Sequence, residues 1–139
     1  MKKIMIIVFA FLFCNSTCRT TEMKKNVILF ENKSSEQFFL CPWKIDFDRS
    51  RFSIRKEQLY HNVLPSHTSK KMLYDIPFCM EEYWKKYVVG DSLEILVFTQ
   101  DSLESGKNLR QLIDNKSYIK KISVSYDQLV NNGCQISIE

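Results

Sequence analysis

The stretch "SLEILVFT" (92–99) constrains this chain more than any other. Ile95, Leu96, Val97 and Phe98 are apolar at consecutive positions. Successive side chains of a strand point to opposite faces, so a strand built here is apolar on both. Such a strand needs cover on each side and belongs at the centre of a sheet.

Weaker strand signals surround it. "VILF" (27–30) and "FFLC" (38–41) flank the polar turn "ENKSSEQ" (31–37) and read as a hairpin, which Pro42 ends or confines to an edge. Residues 43–58 carry a period-two pattern in which Phe52 and Ile54 alternate with Arg51, Ser53 and Arg55. "VLPSHTSKKMLYDI" (63–76) reads as a loop followed by a strand through Met72 and Tyr74. "MEEYWKKY" (80–87) suits a short helix, with Glu81–Lys85 and Glu82–Lys86 at ion-pair spacing.

Beyond the central strand, Asp101 and Glu104 have the spacing of a capping box. A helix follows with Leu103, Leu109, Leu112 and Ile113 inward, weakened at Gly106 and broken at Asn115-Lys116. "SYIKKISVS" (117–125) alternates as a strand, and Ser125 with Gln128 makes a second capping box. Asn132-Gly133 is a helix stop. "CQISIE" closes the chain, with Cys134, Ile136 and Ile138 inward. Strands dominate and no regular βαβ alternation occurs. The expected fold is mainly β with short helices (α+β), a small antiparallel β-sandwich-like single domain over 26–139.

The N-terminus reads as an export signal. Lys2 and Lys3 precede an unbroken apolar run of ten residues, Ile4 to Phe13. A membrane-spanning helix needs about 20, so residues 1–17 read as a removable signal peptide. "NSTC" (15–18) then resembles a bacterial lipobox, with Ser16 fitting and Asn15 and Thr17 departing from the usual residues. Cys18 is the candidate lipid-attachment site, against simple signal-peptidase cleavage nearby. Residues 18–25 form a polar tether.

Removing the signal also removes half of the chain's net charge of +4. The remainder is near neutral, which argues against nucleic acid as a partner. Ten Phe, six Tyr and two Trp beside only three Gly and three Pro describe a chain that can build a packed core. Cys41, Cys79 and Cys134 remain with Cys18. Two readings stand for these three: one disulfide of unassigned pairing with a leftover thiol, or, more plainly, three small buried apolar residues.

The hairpin around "NKSS", the "VLPSHTSKK" segment, "GDSLEILVFTQDSLES" and "YIKKISVSYDQLVNNGCQISIE" together resemble a group of small uncharacterised secreted lipoproteins of gut bacteria. The likeness covers most of 26–138. It implies a β-sandwich-like fold and a bacterial envelope location, and it brings no activity; with a lipid on Cys18, the expected place is the outer membrane.

Reactive chemistry has little footing. Cys79 with His61 or His67 could form a thiol–imidazole pair as in a small thiol hydrolase, but "IPFCM" is an apolar setting that disfavours a thiolate. His61, His67, Cys41 and Cys79 show no metal-ligand spacing, so no metal or other cofactor is expected. Glu81 and Glu82 are adjacent and do not face one another on a helix. No phosphate loop, zincin or nucleophile-elbow motif occurs. The best binding candidate is a cationic face of Arg49, Arg51 and Arg55 projecting from one strand, with Lys70 and Lys71 nearby, suited to an acidic glycan or an anionic lipid. Its plainer role is a solvated edge that deters aggregation. Trp43, Tyr83, Trp84 and Tyr87 could stack on a sugar, but core packing accounts for them more simply. The expectation is a non-enzymatic envelope lipoprotein that binds a protein or glycan or supports an assembly.

Overall fold

The structure, a computed structural model, describes residues 25–46, 55–71 and 76–139. Within them lie seven strands: β1 (Leu29–Asn32), β2 (Phe38–Trp43), β3 (Val63–Leu64), β4 (Ser69–Lys71), β5 (Ser92–Phe98), β6 (Lys120–Ser125) and β7 (Gln135–Ile138). Short helices separate them: α1 (Lys56–Leu59), continued by a 3-10 turn over Tyr60–Asn62, then α2 (Glu81–Tyr87), α3 (Gln100–Glu104), α4 (Leu109–Asp114) and α5 (Tyr126–Asn131).

The strands form two sheets, β4-β1-β7 and β3-β2-β5-β6. Every pairing is antiparallel except β1 with β7, which run parallel and join the first strand to the last. The result is a small β-sandwich-like α+β domain, as the strand pattern requires.

β5 is central in the larger sheet, between β2 and β6, and its two apolar faces serve two separate cores. Leu93, Ile95 and Val97 face the three-stranded sheet, packing with Phe38 and Leu40 of β2, Phe30 of β1, and Ile136 and Ile138 of β7. Leu96 and Phe98 point the other way, with Phe39 and Cys41 of β2. Leu59 of α1, Leu103 of α3, and Leu109 and Leu112 of α4 cover them. The order is therefore sheet, sheet, then α1, α3 and α4, while Trp84 of α2 and Leu129 of α5 join the core that the smaller sheet shares. Each of these aliphatic or aromatic side chains contributes about 1.5–3 kcal/mol when fully buried, so both faces of β5 hold the layers together.

Several local expectations are met. Ser125 Oγ accepts from Gln128 N at 3.3 Å while Gln128 Oε1 accepts from Ser125 N at 2.9 Å, a reciprocal cap on α5. β7 alternates as read, with Cys134, Ile136 and Ile138 buried. Lys85 pairs with Glu81 one turn away on α2.

Others need correction. β1 and β2 are not a hairpin: they lie in different sheets, and β1 extends through Glu31 and Asn32 into the supposed turn. Asn32 is the reason. It is 1% exposed, and its Nδ2 donates to the carbonyls of Glu36, Leu64 and Pro65 at 2.7, 3.2 and 3.1 Å. The chain thus leaves β1 bonded to the β3 end of the other sheet. Pro42 sits within β2 and does not end it. β3 pairs only with Phe38 and Phe39, so β2 has one neighbour at Pro42 among the described residues, an edge-like position that tolerates a missing N–H.

The helix expected after Asp101 is two helices. Its cap is Thr99, whose Oγ1 accepts from Ser102 N at 3.3 Å. Gly106, at φ +76°, turns the chain between α3 and α4. The left-handed region costs a side-chain-bearing residue about 1 kcal/mol or more, so glycine divides one apolar pattern into two short rods.

Cys79 and Cys134 form a disulfide with Cα atoms 6.0 Å apart. Of the two cysteine readings the plainer one therefore fails: only Cys41 is a free thiol among the described residues. The bond ties the loop before α2 to the start of β7, beside Leu29, whose N donates to the Cys134 carbonyl at 2.9 Å. Asn32 secures one end of β1 and the disulfide lies at the other.

Candidate functional site: a basic cleft

Arg55 does not project from a strand. It is the N-cap of α1, with its N–H donating to Gln58 Oε1 at 2.9 Å. A Gln three residues on competes with extended pairing by closing a helical turn. Arg49 and Arg51 lie outside the described residues. Lys70 and Lys71 line a different, apolar cavity with Phe30, Leu40 and Leu64. Lys70 Nζ donates there to the carbonyls of His61 and Val63, both at 3.0 Å. Of the expected arginine face only Arg55 is placed, at a helix start and not on a strand, and it keeps different company.

That company is a cleft of about 460 Å³ between α1 and the turn joining α3 to α4, lined by Arg55, Lys56, Glu57, Lys107, Asn108 and Arg110 among others. Two segments some fifty residues apart in sequence meet here. Lys56 Nζ donates to the Lys107 carbonyl at 3.0 Å, closing one side. Asn108 caps α4 through a reciprocal pair with Gln111, with N···O distances of 3.0 and 2.9 Å. Below, Leu59, Leu109 and Leu112 are buried against β2 and β5 and hold both walls to the sheet.

Charge in the cleft is one-sided. Among the described residues Arg55, Lys56 and Lys107 have no carboxylate within ion-pairing distance, and Arg110 meets Asp114 only at 3.7 Å, both well exposed. Glu57 is the single acid among the described residues of the lining. Cations held together repel one another, and a bound anion relieves that repulsion.

A second polar cluster lies on β5. Glu94, with a side chain 10% exposed, accepts from Lys44 Nζ at 2.9 Å, and Lys121 Nζ stands 3.6 Å away. The Lys44 hydrogen bond holds the carboxyl below its usual range, against the opposing effect of burial and with help from the Lys121 charge. A depressed pKa means stability present above the unfolded value and lost as pH falls through the folded one. Glu94→Gln should therefore cost about 1 kcal/mol at pH 7, discounted for half-exposed lysines, and less at pH 3. Urea midpoints at the two pH values check this; an equal cost at both would show that the charge contributes nothing.

The reactive groups weighed in the sequence are placed as follows. Cys79 is committed to its disulfide. Burial pushes the Cys41 thiol up to about 12, so it stays protonated and unreactive at neutral pH. His61 and His67 are exposed, on the 3-10 turn and on the turn after β3. Among the described residues no three His, Cys, Asp or Glu side chains converge as a metal site. Trp84 is core, edge-on to Tyr126 at 5.6 Å, whereas Trp43 is 37% exposed at the end of β2. No helix among the described residues is long and apolar enough to cross a membrane. The chain matches no protein-family model, no curated protein and no solved structure.

Proposed function

We propose that this chain is an exported envelope lipoprotein, a single β-rich module that binds a partner and does not catalyse a reaction. The observation that carries this reading is the Cys79–Cys134 disulfide. Structural disulfides form and persist outside the reducing cytoplasm. The apolar Ile4–Phe13 run and "NSTC" add an export route and a thiol for lipid, and the resemblance to small secreted lipoproteins of gut bacteria points to the same compartment. In this reading residues 1–17 are removed, Cys18 carries the acyl chains that hold the domain at the outer membrane, and 18–25 is the tether. More than one chain is needed for stable anchoring, at about 0.8 kcal/mol per buried methylene. Tethering concentrates the domain at the membrane, so even a weak surface contact is effective there.

Cells fed radiolabelled palmitate test the anchor. Wild type is expected to carry label and Cys18→Ala to lose it entirely, with the variant released from the membrane fraction. Equal labelling of the two proteins refutes the anchor.

A further inference from the structure

We propose that the cleft between α1 and the α3–α4 turn binds an acidic polysaccharide, whose carboxylates or phosphates are held by Arg55, Lys56, Lys107 and Arg110. The choice of a glycan among polyanions rests on the envelope reading above; the preference for an anion rests on the cleft itself. Among the described residues four cations face one acid, and three of the four have no carboxylate partner. At about 460 Å³ the space falls in the range that holds one or two sugar rings.

Its walls are preorganised. α1 and α4 are seated on the sheet by Leu59, Leu109 and Leu112 and joined across the top by the Lys56–Lys107 bond, so binding orders little new structure. The arginines can meet a carboxylate or phosphate with two parallel N–H donors, and the lysines act as point charges.

Absent features of the lining narrow the ligand further. Among the described residues it contains no aromatic ring to stack on a neutral sugar, and the Asn108 Oδ1 accepts from Gln111 N in the helix cap. Recognition therefore falls on charge. A membrane surface fits poorly, because the site is concave and the large exposed apolar residues, Trp43, Tyr60, Val89, Ile119 and Val130, are not in its lining.

The test uses the full chain in detergent, titrated with polygalacturonate, polyglutamate, and vesicles of phosphatidylglycerol with phosphatidylcholine. Polygalacturonate is expected to bind most tightly, with affinity falling as salt rises. Arg55→Glu with Lys107→Glu should weaken it about tenfold, and the milder Lys107→Gln about twofold to threefold. A control with the same charge change elsewhere, Lys86→Glu with Lys120→Glu, should change it less than about twofold. Unchanged urea midpoints show that the variants are folded. The proposal is overturned by equal losses in cleft and control variants, by no binding of polygalacturonate, or by polyglutamate or vesicles binding as tightly through the same residues. Palmitate label on a chain that fails to bind sinks the cleft alone; binding by a chain that takes no label sinks the anchor alone.

Discussion

Cys134→Ser is expected to lower the stability of the domain by about 4 kcal/mol, the chain-entropy value for cross-linking residues separated by 55 positions. The substitution isolates the bond. Gly133 and Cys134 both lie in the left-handed region, at φ +65° and +64°, and serine must adopt the same backbone as cysteine. Local strain is therefore similar in the two proteins, and the difference reports the lost cross-link. Urea unfolding of wild type, reduced wild type and Cys134→Ser should give one high midpoint and two coincident low ones. Typical domains are stable by about 5–15 kcal/mol, so a loss of this size leaves a marginal protein. Three coincident curves would mean that the bond contributes nothing to the fold.

Asn32→Asp should cost about 3–5 kcal/mol at neutral pH, the range for a buried charge left without an opposite charge beside it. Asn32 donates to three carbonyls with two hydrogens, and its Oδ1 accepts from Ser34 N and Ser34 Oγ at 3.0 and 2.8 Å. The substitution preserves the shape and removes both donors. It sets a carboxylate against the carbonyl oxygens of Glu36, Leu64 and Pro65. These oxygens raise the new carboxyl's pKa, so the defect should shrink as pH falls through the carboxylate range. Thermal or urea unfolding of the variant at pH 7 and pH 4 measures both effects. A variant as stable as wild type at pH 7 would show that Asn32 does not join the sheets energetically.

Where one local rule decided the outcome, the sequence was readable. β5 declares two covered faces because four apolar residues run consecutively, and both faces are covered. The Ser125–Gln128 cap and the alternation of β7 follow from short-range spacing alone. The misread elements are those decided by partners distant in sequence. "VILF-ENKSSEQ-FFLC" has a hairpin's composition, but Asn32 finds carbonyls 32 and 33 residues away and the strands part into two sheets. Arg55 continues a period-two pattern on paper, yet Gln58 turns the backbone into a helix. The disulfide was undetermined because three cysteines allow three pairings, and only the parallel packing of β7 beside β1 brings Cys134 to Cys79. The basic cleft left no motif, since its two halves are about fifty residues apart. Its trace in the sequence is a pair of small cationic clusters, Arg55-Lys56 and Lys107…Arg110, each ordinary alone.

Mass spectrometry of the native protein, alkylated after unfolding but before reduction and then digested, tests most directly whether this is an exported domain locked by one bond. One linked species joining the Cys79 and Cys134 peptides is predicted, with Cys41 alkylated singly. Cys79 and Cys134 both recovered as alkylated thiols from unreduced protein would contradict the account.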